Sequence, residues 1–201
     1  MPDLIRHLGA RGMDSGFRVT APATLRLRGG REPGMTSQVM KFLVISDIHD
    51  NPVNLEKCIN WGRGEGIKNA ICCGDVVNEE TLKYLADNFK TIYLVRGNLE
   101  IYEEPEIKKY KNINYLGRLG VFEIDKKIIG LCHEPWFIKK VLELKKCNLV
   151  FYGHTHEPWI SEKDGLITAN PGTLGGVFNK ASFAVWDSAD NKLELKILEL
   201  L

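Results

Sequence analysis

The stretch Lys41-Phe42-Leu43-Val44-Ile45-Ser46-Asp47-Ile48-His49-Asp50-Asn51-Pro52 holds a strand, a polar turn and the start of a helix. Phe42–Ile45 is a short continuous apolar run, as expected of a strand buried on both faces. Asp47 and His49 follow two residues apart, and that spacing points both side chains the same way from an extended chain. Asn51-Pro52 then supplies an N-cap and a proline at the first helical position. Such a unit predicts the opening of an α/β fold.

The pattern continues on the C-terminal side. Val53, Leu55, Cys58, Ile59 and Trp61 recur at helical spacing. Ala70–Cys73 reads as a second strand, and 78–89 as a helix with Leu82, Leu85 and Phe89 on one face. Thr91–Val95 reads as a third strand. A βαβαβ order predicts a parallel sheet with crossover helices. Further on, Val121–Ile124 and Lys127–Cys132 flank a turn at Asp125-Lys126, and 135–146 reads as a helix. Leu149–Tyr152 reads as a strand. Pro158–Ser161 and Leu166–Ala169 flank Lys163-Asp164-Gly165, a hairpin signal. Ser182–Trp186 and Lys192–Leu200 close the chain.

On the N-terminal side the composition breaks at Met40. Residues 1–39 hold six arginines and no lysine, while all eighteen lysines lie in 40–201. The first segment shows no sustained period of 2 or 3.6, so it is expected to be disordered. Two origins stand open. One is an Arg-rich targeting peptide, although no apolar h-region suggests a secretory signal. The other is a leader foreign to the domain, such as an over-extended reading frame. The domain itself is expected over 40–201. A formal net charge of +1 gives no clear nucleic-acid surface, and no apolar run of about 18 residues predicts a membrane span. Five cysteines, an odd number without a CxxC, fit a reduced, cytoplasmic chain.

The chemistry lies just after the strands. The first is followed by Asp47 and His49, the second by Gly74-Asp75, and the third by Gly97-Asn98. His133 follows the hairpin strand, and Gly153-His154-Thr155-His156 follows the next. In open α/β sheets ligands gather beyond the carboxyl ends of strands. Imidazole, carboxylate and amide oxygen together suit borderline divalent metals. Seven such groups are too many for one ion, and a carboxylate can bridge two ions about 3.5–4 Å apart. The glycines let the backbone turn tightly and approach the site.

These blocks, in this order over roughly 40–201, resemble the calcineurin-like metallophosphoesterases. Asn170-Pro171-Gly172 late in a short chain is similar to the small archaeal and bacterial YfcE-type phosphodiesterases, relatives of the retromer scaffold subunit. The resemblance implies a four-layer α/β/β/α sandwich. It implies that Asp47, His49 and His156 hold a first metal, that Asn98, His133 and His154 hold a second, and that Asp75 bridges. Asp75, Asn98 and His133 are the expected catalytic residues. The implied activity is hydrolysis of a small phosphodiester or nucleotide-like substrate by a metal-bridging hydroxide. The implied ions are two divalent transition metals, Mn²⁺ first, with Ni²⁺, Fe²⁺, Co²⁺ or Zn²⁺ as alternatives. A homo-oligomer is left open, and no membrane partner is expected. The alternative function is a non-catalytic interaction scaffold on the same fold.

Three positions depart from the family pattern. Leu99 stands where many members carry a histidine thought to serve the leaving group, Glu100 where aspartate is common, and Glu134 where a small residue is usual. Glu134 is expected to add charge near the second metal or to face solvent. Trp136 and Trp159 flank the ligand blocks and are read as core packing or a helix-side contact, with an aromatic wall for a flat substrate group as the competing role. Arg96 is read equally as a phosphate contact or a surface residue.

Overall fold

The computed structural model describes residues 40–201 and two short strands before them, β1 (Gly16–Arg18) and β2 (Thr24–Arg26). Otherwise the leader expected over 1–39 lies outside the described residues. From there the chain runs β3 (Lys41–Ile45), α1 (Pro52–Gly64), β4 (Asn69–Cys72), α2 (Glu79–Asn88), β5 (Thr91–Leu94), α3 (Glu104–Ile107) and β6 (Ile113–Tyr115). It continues through β7 (Leu119–Ile124), β8 (Lys127–Cys132), a 3-10 turn at Pro135–Phe137, α4 (Ile138–Leu144) and β9 (Leu149–Phe151). The hairpins β10 (Trp159–Lys163) with β11 (Leu166–Asn170), and β12 (Ser182–Asp187) with β13 (Lys192–Ile197), complete it.

These strands form two sheets. One has the order β2-β13-β12-β3-β4-β5-β6, the other β1-β10-β11-β9-β8-β7. β3 through β6 are mutually parallel, and β8, β9 and β11 run parallel in the second sheet. Side-chain alternation along β3 shows how the layers stack. Leu43 and Ile45 pack with Leu55, Ile59, Leu82 and Leu85 of α1 and α2. Phe42 and Val44 pack the other way, with Leu131, Phe151 and Trp186 between the sheets. On β9, Val150 turns outward to Val141 of α4. The result is the expected α/β/β/α sandwich. Trp186 is fully buried, with Phe42 and Phe151 at ring-centroid distances of 5.5 and 6.1 Å. Burying each such side chain contributes about 1.5–3 kcal/mol.

Local signals acted as expected at the element ends. Asn51 accepts from the Asn54 amide ahead of Pro52, and Asn78 caps α2 in the same way. Asp125-Lys126 and Asp164-Gly165 both take positive φ at the two central positions, the geometry of a two-residue hairpin. The helix expected over 135–146 is shorter, because Pro135–Phe137 forms a 3-10 turn first. α3 and β6, of four and three residues, are too brief to show a period in the sequence. The carboxyl ends of β3, β4 and β5 meet those of β8 and β9 at one rim.

Candidate metal centre

The loop after β3 is stitched to the loop after β4. The amide of Asp47 donates to the Gly74 carbonyl (3.1 Å), and those of Ile48 and His49 donate to the Asp75 carbonyl (3.0 and 3.2 Å). A Cβ on Gly97 would overlap Asp75 Oδ1, and one on Gly153 would overlap Ser46 Oγ. Glycine at these two places is therefore a matter of close approach between ligand loops.

Five candidate ligands have left-handed backbone: Asp47 (φ 52°), His49 (47°), Asp75 (54°), His154 (70°) and His156 (58°). This conformation is uncommon outside glycine and persists only where surrounding structure enforces it. Here the enforcement comes partly from 170–175. Asn170 Nδ2 donates to the Gly153 carbonyl and to Thr155 Oγ1, both at 2.9 Å. Thr173 Oγ1 and the Gly175 amide donate to the Asp47 carbonyl at 3.0 and 2.8 Å.

Each carboxylate ties one oxygen to backbone and turns the other to the array. Asp47 Oδ2 accepts from the His154 amide (3.0 Å), and Asp75 Oδ1 from the Leu99 amide (2.9 Å). Asp47 Oδ1 is buried and has no hydrogen-bond partner among the described residues. Around it lie His156 Nε2 at 3.1 Å, His49 Nε2 at 3.7 Å and His133 Nε2 at 4.0 Å. Asp75 Oδ2 lies 3.4 Å from His133 Nε2 and 3.9 Å from His49 Nε2, between the two expected ligand sets. Asn98 Oδ1 sits 3.0 Å from His133 Nε2 and 2.9 Å from His154 Nδ1. All seven candidate residues therefore converge.

Hydrogen bonds on the far side of two rings decide what they present. His133 Nδ1 faces the Cys73 carbonyl (2.8 Å), and His156 Nδ1 faces the Val177 carbonyl (3.0 Å). Each carbonyl assigns a proton to Nδ1, so the neutral ring turns a bare Nε2 lone pair to the array. Lone pairs then face carboxylate and amide oxygens, an arrangement that only a proton or a cation relieves. The groups Asp47, His49, His156 and Asp47, Asp75, His133 each bring their ligand atoms within 4.8 Å of one another. The donor set fits divalent metal, and Asp47 approaches both sets, which the sequence pattern did not suggest.

The titrations reflect the same crowding. Burial alone would lower the His133 pKa, but Asp75 and the charge of Asp47 outweigh it and raise it to about 9. Asp47 raises that of His156. Burial works to raise Asp47 and Asp75, yet the neighbouring imidazoles hold both below the ordinary carboxylate range.

The departures resolve differently. The Leu99 side chain is about half exposed at the rim. Glu100 is buried and accepts from the Val76 amide (3.4 Å), bracing the Asp75 loop, and burial raises its pKa. Glu134 does not face solvent: it is buried, and Nη2 of the largely exposed Arg118 holds its Oε1 at 2.6 Å. Arg96 Nη2 reaches the Glu100 carbonyl at 3.5 Å. Trp159 is half-buried in β10, while for Trp136 core packing, one of the two structural roles read for it, does not hold. Trp136 is 62% exposed and stands edge-on to His154, with ring centroids 4.9 Å apart. Sequence reading also missed Phe178, whose ring lies 5.5 Å from that of His156. The Gly175-Gly176 pair just before it was the only available signal.

The profile described as the calcineurin-like phosphoesterase superfamily domain matches residues 40–191. Phosphodiesterase MJ0936 of Methanocaldococcus jannaschii is 31% identical over 143 residues, covering 68% of this chain and 86% of that relative. Among solved structures, one described as a novel archaeal phosphodiesterase superposes with a TM-score of 0.70 at 24% identity, over 79% of this chain and 99% of its own. YfcE, a phosphoesterase from E. coli, has a TM-score of 0.58 at 23% identity, over 74% and 89%. Zinc-complexed Vps29 from Entamoeba histolytica has 0.58 at 24%, over 78% and 90%. At these identities the structures speak for the fold alone.

Proposed function

The chain belongs to the calcineurin-like phosphoesterase superfamily, a family of hydrolases, and we propose that within it this protein is a dinuclear metal-dependent phosphodiesterase. The observation that carries the reading is the buried, unpartnered Asp47 Oδ1 ringed by three imidazole nitrogens. In this reading Asp47, His49 and His156 would hold one ion and Asn98, His133 and His154 the other, with Asp75 shared between them. Mn²⁺ is the first candidate, with Ni²⁺, Fe²⁺, Co²⁺ and Zn²⁺ also suited to this donor set. When bound, two dications lower the pKa of water, attract an anionic phosphate and stabilise charge building on its oxygens.

The protein's own part is orientation. The Cys73 and Val177 carbonyls fix two imidazoles with Nε2 toward the array, and the Asp75 carboxylate is held by Leu99 N–H. Leu99 has no proton to give, so no side chain there protects against a strongly basic leaving group. Glu100 is buried where Leu99 is half exposed, and its Oε1 accepts from the Val76 amide, so it is read as a brace of the Asp75 loop and not as the leaving-group acid. A diester with a good leaving group is the substrate this arrangement suits. The five cysteines are free and buried, which fits action in the reducing cytoplasm. No helix among the described residues is long and apolar enough to cross a membrane.

The test strips the protein with chelator and restores Mn²⁺ before assaying bis-p-nitrophenyl phosphate and p-nitrophenyl phosphate. The expected outcome is an inert stripped protein and a restored one that favours the diester. Hydrolysis indifferent to chelation overturns the metal reading. A restored protein inert to both esters instead favours the scaffold alternative.

A further inference from the structure

Two exposed aromatic rings flank the ligand array, and each touches a histidine of a different ligand set. Trp136 abuts His154, and Phe178 abuts His156. Phe178 is 92% exposed although its backbone is left-handed (φ 65°), a conformation bulky side chains avoid. The segment is fastened on the site. The Gly175 amide donates to the Asp47 carbonyl (2.8 Å), Asn51 Nδ2 donates to the Gly175 carbonyl (3.0 Å), and His156 Nδ1 holds the Val177 carbonyl. A strained residue that holds an apolar ring in water, beside a candidate centre, is a sign of function.

Beyond Phe178 lies a cleft of about 710 Å³, lined by Asn54, Lys57, Gly176, Asn179 and Lys180. Asn54 Nδ2 is committed to the Leu174 carbonyl (2.9 Å), while its Oδ1 accepts from no donor among the described residues. One wall is thus an aromatic ring, and the rest is mostly polar, with Lys57 and the Lys180–Glu199 ion pair (2.9 Å) beside a smaller apolar surface from Ala181 and Leu198. A hydrocarbon arm would waste the polar wall, and a bare sugar would waste the ring. A nucleoside uses both, by stacking its base and hydrogen-bonding its sugar and base edges.

We propose that Phe178 and Trp136 select phosphodiesters with a flat group on each ester arm. The nucleoside arm lies in the cleft against Phe178, and an aryl or nucleobase leaving group packs against Trp136. The proposal rests on the phosphodiesterase reading above and adds the substrate class to it.

The test uses the Mn²⁺-restored full chain with two diesters that share a leaving group, thymidine 5′-(p-nitrophenyl) phosphate and methyl p-nitrophenyl phosphate. Stacking of one base on one aromatic ring corresponds to roughly a 5- to 150-fold change in affinity. Phe178→Ala should raise KM for the thymidine diester by that factor, with kcat nearly unchanged and the methyl diester unaffected. Trp136→Ala should raise KM for both. Titration calorimetry supplies a readout free of turnover: thymidine 5′-monophosphate should bind the parent more tightly than methyl phosphate does, and lose that advantage in Phe178→Ala. Equal effects of Phe178→Ala on both diesters, or no advantage for thymidine monophosphate in the parent, overturn the subsite. A parent that cleaves neither diester refutes the phosphodiesterase reading instead, and the calorimetry then decides the subsite alone.

Discussion

Raising the pH from 6.5 to 9 should destabilise the metal-stripped protein far more than the metal-loaded one. The group responsible is His133, buried at the carboxyl end of β8, with Asp75 Oδ2 at 3.4 Å and Asp47 Oδ1 at 4.0 Å. Those carboxylates hold its proton until about pH 9, against an ordinary value of 6.5. A pKa raised in the folded state gives stability that is fully present below the unfolded pKa and is lost as pH rises through the folded one. At about 1.4 kcal/mol per pH unit, the loss across this window is about 3 kcal/mol. For a domain of this size that lowers Tm by roughly 6–12 °C. His156, raised by Asp47, acts in the same direction. In the loaded protein bound cations would take over the proton's role at these lone pairs, and the slope should disappear. The assay is thermal unfolding by fluorescence at half-unit pH steps, on chelator-stripped and Mn²⁺-restored samples, with His133→Gln alongside. A flat Tm in the stripped parent, or an unchanged slope in stripped His133→Gln, would refute the reasoning.

Asp75→Asn should weaken metal retention and remove nearly all turnover, as read by elemental analysis and diester hydrolysis. Asp50→Asn should do much less, because Asp50 Oδ1 only receives Asn78 N–H and Thr81 Oγ1 at the start of α2, and the amide oxygen keeps that role. Parent-like activity in Asp75→Asn counts against a bridging role. Leu99→His should flatten the dependence of log kcat/KM on leaving-group pKa by helping poor leaving groups most, with a gain of up to about 10²–10⁴-fold. A shallow slope already present in the parent means that another acid acts there. A protein starting at Met40 should fold, bind metal and turn over like the full chain, since every proposed ligand lies between Asp47 and His156. Loss of activity on that truncation assigns the leader a structural part.

The sandwich was legible in β3 because its residues are apolar without alternation. Such a run requires cover on both faces, and Leu43 and Phe42 found it in different layers. The candidate ligand set was legible because its residues sit just after strands, where the strand pattern brings them to one rim. The bracing was not. Asn170 and Thr173 act across more than a dozen residues of sequence on loops they do not adjoin, and no local pattern encodes such contacts. Core packing failed for Trp136 because an aromatic residue near a helix start resembles core, whereas here it lies in the 3-10 turn ahead of α4 and stays exposed. Phe178 carried no periodic signal, with only the Gly175-Gly176 pair before it to mark a turn, and its backbone is left-handed (φ 65°).

Metal stoichiometry after Mn²⁺ reconstitution tests the central claim most directly. Elemental analysis of the desalted protein should find close to two ions per chain, falling to about one or fewer in Asp75→Asn. A parent that retains almost none contradicts the account, whatever its fold.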